Sequence, residues 1–110
     1  MEIRFNSKKL DKILSDSKKI KKRYGEKMAR KIMQRLDDMR AASNLEELMR
    51  LPGRHHPLTG NREGQFACDL INPYRLIYEP VNDPLPLNKD GGLIYREITI
   101  IDIVEIKDYH

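Results

Sequence analysis

The chain reads as an α+β domain: two N-terminal helices packed on one face of a mainly antiparallel, curved β-sheet, in the order β-α-α-β-β-β. Three observations predict this. Apolar residues recur at helical spacing only early, at Leu10, Ile13 and Leu14 and again at Met28, Ile32, Leu36 and Met39. From Arg54 onward the pattern becomes strand-like and is punctuated by Pro, Asn and Gly. Helices and strands that are segregated along the chain, rather than alternating, favour helices on one side of an antiparallel sheet.

The elements follow in order. Glu2-Ile3-Arg4-Phe5 alternates as a short first strand, ended by Asn6-Ser7, and Ser7 is positioned to cap a helix. That first helix runs to Tyr24-Gly25, where glycine suits a left-handed C-terminal position. In the second helix Met28, Ile32, Leu36 and Met39 form one stripe, with Lys27, Arg30, Lys31 and Arg35 mostly on other faces. Ser43-Asn44 offers a cap for a short helical turn, Leu45 to Leu51, that Pro52-Gly53 ends. Strands are expected at about 54–59, 66–71, 74–79 and 96–106. The last has apolar residues on both phases, which fits a central strand or a bulge near Ile101. Between the last two strands, Val81 to Gly92 is rich in Pro, Asn, Asp and Gly and reads as a mobile loop.

Length and composition narrow the function classes. A chain of 110 residues is one domain, 1–110, burying roughly two-thirds of the surface it exposes unfolded. One cysteine, Cys68, excludes an internal disulfide and fits a reducing compartment. No apolar run approaches the roughly 20 residues of a membrane helix, and no signal core opens the chain. A cytoplasmic protein with no membrane association is expected. The net charge of +4 is unevenly spread: residues 1–40 carry +8, 41–80 carry −1 and 81–110 carry −3. Lys18, Lys19, Lys21, Lys22, Lys27, Arg30 and Lys31 concentrate the positive charge, which suits a polyanion such as nucleic acid as well as a plain solvated helix face.

Chemistry concentrates between Arg54 and Pro80 and in the last three residues. Arg75 shares its alternation phase with Ile77, so a guanidinium occupies an otherwise apolar face. His55-His56 precede Pro57, which pushes His56 toward extended backbone. On strand phase Asp108 and His110 point one way and Tyr109 the other, so Asp108 is placed to orient the His110 imidazole. His and carboxylate spacings match no metal-ligand motif, and neither a phosphate loop nor a nucleophile elbow is present, so no metal or cofactor is expected. Cys68 falls on an apolar phase and reads as a core residue. A cation, imidazoles, a tyrosine and a basic surface are the groups that cleave RNA through its own 2′-hydroxyl, which needs a base, an acid for the leaving oxygen and a cation for the phosphate.

His56-Pro57-Leu58-Thr59-Gly60, then Gly64, Tyr74-Arg75-Leu76-Ile77 and the terminal Asp108-Tyr109-His110 together resemble the HigB-type host-inhibition toxins of the RelE/ParE superfamily. The resemblance covers about 52–110; the two basic helices fit the superfamily only in outline. It implies a toxin of a type II toxin–antitoxin system: a ribosome-dependent, metal-independent mRNA endonuclease neutralised by a helix-turn-helix antitoxin of the HigA type. Carried over by position, His56, Arg75, Asp108, Tyr109 and His110 become the active-site residues. His110 would be the acid or base, Asp108 its orienting carboxylate, Arg75 the phosphate ligand, His56 an assistant and Tyr109 a base platform. Two departures stand out: Thr59, where many relatives have lysine, and the insertion at 81–95. The missing lysine takes one cation from the phosphate site, so either Arg62 replaces it or cleavage is weaker. The rival readings are a toxin of the same fold that poisons DNA gyrase without chemistry, and a basic nucleic-acid-binding module that regulates within its antitoxin complex.

Overall fold

The computed structural model describes residues 1–109. Strand β1 (Glu2–Phe5) leads into helices α1 (Lys8–Leu14), α2 (Ser17–Tyr24), α3 (Glu26–Ala41) and the single turn α4 (Leu45–Leu48). Strands β2 (His56–Pro57), β3 (Phe66–Asp69), β4 (Tyr74–Pro80) and β5 (Ile100–Asp108) follow. Among the described residues this makes a compact α+β domain of four helices and a five-stranded mixed sheet, ordered β1-β5-β4-β3-β2.

The expected first helix is two helices. Asp16 breaks it: its backbone is extended, and its Oδ1 accepts from the Lys18 amide at 2.9 Å, capping α2 instead of continuing α1. Ser7 caps α1 through the Leu10 amide at 3.1 Å, and Asn44 caps α4 through Glu47 at 2.9 Å. Gly25 separates α2 from α3 at φ 84°, ψ 166°, a region outside the left-handed helical well and open essentially to glycine alone.

The helices all lie on one side of the sheet. Ile20, Met28, Ile32, Leu36, Met39, Leu45 and Leu48 from the helices share one buried core with Phe66, Cys68, Leu76, Tyr78, Ile101 and Ile103 from the strands. Each fully buried side chain of this size contributes about 1.5–3 kcal/mol against exposure. Arg35 departs from its expected outward position. It is 6% exposed on the sheet side of α3, donating from Nε to the Asp69 carbonyl at 2.8 Å and from Nη1 to that of Pro52 at 3.3 Å. A buried guanidinium persists there because the carbonyls of Asp69, at the end of β3, and of Pro52, in the turn before β2, accept from it.

Three of the four strand pairings are antiparallel; β1 lies parallel to β5, with Ile3 opposite Ile101. The bulge expected near Ile101 sits at Val104, because Ile77 faces Glu105 whereas Tyr78 faces Ile103. The expected strand at 54–59 shrinks to His56–Pro57, since Arg54 turns at φ 52° and a 3₁₀ turn takes Gly60–Arg62. The start of the expected strand at 96–106 is likewise taken by a 3₁₀ turn, Tyr95–Glu97.

The 81–95 segment is knitted by hydrogen bonds rather than open. Asn82 Oδ1 accepts from the Thr99 and Ile100 amides, Asn88 Oδ1 from those of Asp90 and Gly92, and Leu87 bridges Leu93. Tyr95 then meets Phe66 edge to face at 5.5 Å. No helix among the described residues is long and apolar enough to cross a membrane.

Candidate active site

Strand alternation decides what reaches the sheet face that carries no helix. In β4, Leu76 and Tyr78 enter the core, so Arg75 and Ile77 point the other way. Register then sets their neighbours. Arg75 lies between Asp69 of β3 and Lys107 of β5, while Ile77 lies between Ala67 and Glu105, with His56 opposite Ala67. The open face thus carries Asp69, Arg75 and Lys107 in one row and His56 and Glu105 in the next.

Two like charges directly across a strand pair, Arg75 and Lys107, cost stability unless an anion lies nearby. Asp69 supplies part of that compensation, with Oδ1 3.6 Å from the Arg75 Nε. Arg54 grips the same carboxylate, from Nη2 at 3.2 Å and also from Nε. The hydrogen bond from Arg54, then its charge and that of Arg75, hold Asp69 below the usual carboxylate range. Sequence reading did not single out Asp69, Arg54 or Lys107. The signal for two of them was available, since Asp69 shares the open phase with Ala67, and Lys107 shares it with Glu105 and Tyr109.

Arg75 is also held from above. Its guanidinium carbon lies 4.6 Å from the centroid of the Tyr109 ring, whose backbone amide donates to the Pro73 carbonyl at 3.1 Å. Tyr109, 38% exposed, lines a cleft of about 460 Å³ with Leu58, Thr59, Asn61, Arg62 and Lys107. Arg62 is already engaged: it donates to Glu105 at 2.8 Å and to Gln65 at 2.8 Å, and the bond to Glu105 raises its pKa further. Lys107 therefore supplies a cation at this cleft alongside Arg62.

The two neighbouring histidines take opposite environments. His56 Nδ1 lies 2.6 Å from the Arg54 carbonyl, which can only accept, so Nδ1 carries the proton. In the neutral ring this leaves the Nε2 lone pair as its proton acceptor. Two strand spacings and two residues separate His56 from Arg75, roughly 12 Å between Cα atoms, so a bound phosphodiester would have to lie between their side chains. His55 points into the core instead, 8% exposed, with Nδ1 2.8 Å from the Tyr78 hydroxyl. Burial, with help from the Arg35 charge, lowers its pKa to about 4, so it is a neutral structural group. Burial likewise pushes the Cys68 thiol up to about 12 and keeps it inert.

Of the sequence-derived site residues, Arg75 and Tyr109 are in contact, Arg62 shares the cleft with Tyr109, and His56 shares the face. Asp108 ends β5 opposite Tyr74, on the phase away from Arg75, and is exposed. Its pairing with His110 lies outside the described residues. Lys18, Lys19, Lys21 and Lys22 on α2 and Lys27, Arg30 and Lys31 on α3 lie in the helical layer, across the sheet from Arg75, and all but the half-buried Lys31 are exposed. Among the described residues no three His, Cys, Asp or Glu side chains converge in a group that could hold a metal.

The arrangement can bind a phosphodiester through Arg75 and Lys107, stack a base on Tyr109 and accept a proton at His56. No protein-family profile matches the chain, and no curated protein matches it either.

Proposed function

We propose that this chain is a toxin of a type II toxin–antitoxin system, of the HigB type and with the RelE/ParE-like arrangement, acting as a ribosome-dependent mRNA endonuclease. The observation that carries the proposal is Arg75: a guanidinium held on the helix-free face between Asp69 and Tyr109, directly across from a second cation, Lys107. Such a pair stabilises charge developing on a phosphate while the substrate's own 2′-hydroxyl attacks, so the protein supplies positioning, charge and proton transfer.

In this reading Arg75 and Lys107 hold the scissile phosphate, Arg62 takes the place of the family lysine at Thr59, and Tyr109 stacks a base. His110 and His56 divide the proton transfers, with Asp108 orienting His110. The exposed lysines of α2 and α3 contact ribosomal RNA. The partners are the ribosome with its message and an antitoxin of the helix-turn-helix class.

The test is cleavage of translated mRNA by the purified protein, with gyrase–DNA adduct formation measured in parallel. Cuts in the message that require ribosomes support the proposal. Adducts without cuts transfer the assignment to the gyrase-poisoning reading, and neither outcome leaves the regulatory binding module. Growth arrest on expression, relieved by the product of the neighbouring gene, is expected in the first case.

A further inference from the structure

The cations of α2 and α3 and those around Arg75 lie on opposite sides of the sheet, so an RNA that touches both must pass around an edge. The β3–β4 turn edge carries a groove of about 790 Å³, formed where the α2–α3 junction faces that turn. Tyr24 and Tyr74 line it with Arg23, Lys27 and Ile71. Tyr74 is the residue next to Arg75 and points to the helix side, so the groove begins one residue from the phosphate-binding face. Tyr74 is 37% exposed and Ile71 41%, while the Arg23 guanidinium carbon lies 5.9 Å from the Tyr24 ring centroid.

Resting on the cleavage reading above, we propose that this groove binds the single-stranded RNA flanking the cleaved phosphodiester. It would carry the strand from Arg75 round the sheet edge to the basic faces of α2 and α3. Aromatic rings interleaved with cations are how single strands are held without sequence readout: rings stack bases, and cations follow the phosphates. Glu26 is the one carboxylate in the groove, against the cations Arg23 and Lys27, so the charge favours a polyanion. An acidic peptide with apolar side chains is the competing occupant. Two rings and the position beside Arg75 favour RNA.

The experiment measures binding of labelled single-stranded RNAs of about four and about twelve nucleotides, blocked at the 2′-hydroxyl, to the full chain and its variants. The wild-type protein is expected to prefer the longer RNA. Tyr74→Ala should lower affinity for it about 10-fold and leave the short one nearly unchanged, whereas Tyr74→Phe, which keeps the ring, should bind as wild type. Lys27→Gln, at an exposed position that folding tolerates, should reduce the salt dependence by about one phosphate contact.

Equal affinity of wild type and Tyr74→Ala for the long RNA overturns the proposal, as does a wild-type protein with no preference for length. So does a Glu- and Leu-rich peptide whose binding depends on Tyr74 when that of RNA does not. The two readings fail separately. Tyr74-dependent RNA binding with uncut translated mRNA removes the nuclease and keeps the groove; cut mRNA with Tyr74-independent binding does the reverse.

Discussion

Arg75 and Tyr109 are stacked, guanidinium over ring at 4.6 Å, although 34 positions separate them in the chain. The pairing covers one face of the phenol ring and leaves the exposed remainder to the cleft beside Lys107. Tyr109→Ala should free the guanidinium and remove the base platform, slowing single-turnover cleavage of translated mRNA about 10-fold. Tyr109→Phe keeps the ring and should cleave close to the parental rate. Equal loss in both variants would point to the hydroxyl instead of the ring.

Asp69 lies with Oδ1 3.6 Å from the Arg75 Nε, and under the proposed function its part is to aim that guanidinium at the phosphate. Asp69→Asn keeps the shape and removes the charge shared by Arg54 and Arg75. Because these ion pairs are partly exposed, the stability cost should stay below about 1 kcal/mol. Cleavage should fall about 10-fold, and its dependence on salt should change because Arg75 gains freedom. Melting curves and single-turnover rates measured on the same preparation check both halves. An unchanged rate would remove Asp69 from the account.

Gly53 is where the α-helical layer clamps the site. Its φ is +117°, and a Cβ there would lie 2.7 Å from the Arg35 Nε and 2.8 Å from its Cζ. Arg35 cannot yield, since it is buried and committed to the Asp69 and Pro52 carbonyls. Gly53→Ala should therefore destabilise the fold by about 1–3 kcal/mol or more, from backbone strain with steric conflict added. Chemical denaturation checks it; a neutral result would mean that the Arg35 clamp is soft.

These residues mark what sequence could and could not disclose. The stripe of α3, the caps Ser7 and Asn44, and the alternation of β3 and β4 are local patterns, and they were legible. The break at Asp16 was signalled by Ser15-Asp16-Ser17, but the apolar spacing from Leu14 to Ile20 hid it. Parallel pairing of β1 with β5 joins segments nearly a hundred residues apart, and no local pattern encodes it. Arg35 reads as an outward charge because its two acceptors, the carbonyls of Pro52 and of Asp69 at the end of β3, lie 17 and 34 positions away and are brought to it by tertiary packing. Extended backbone puts His55 and His56 on opposite sides, but that His55 is the one buried, against Tyr78, is not expressed by the His-His-Pro string. Within the site, the phase of Arg75 was readable, but its partners Asp69 and Lys107 required the register.

His55 makes stability depend on pH in a definite window. Its folded pKa is lowered to about 4 from an ordinary value of 6.5 by burial, with Arg35 adding to the effect. Between these values the unfolded chain binds the extra proton, so stability is full above about pH 6.5 and falls as pH drops toward 4. The loss attributable to this residue is roughly 3 kcal/mol at most, from 1.36 kcal/mol per pH unit. Denaturation midpoints from pH 7 to 4 should show this decline, and His55→Gln should flatten it. A slope that persists in the variant would assign the effect to other groups.

Under the proposed function Arg75 and His110 act on a phosphodiester while the surface lysines only bind. The most direct measurement is single-turnover cleavage of translated mRNA, paired with ribosome pelleting, for Arg75→Ala and His110→Ala. Near-parental pelleting is expected for His110→Ala, with a rate lowered about 100-fold or more, the usual contribution of a positioned acid or base. For Arg75→Ala a comparable loss of rate is expected, with some loss of binding. Cleavage by either variant at the parental rate, or a rate that falls only in proportion to ribosome binding, would rule out these roles for Arg75 and His110.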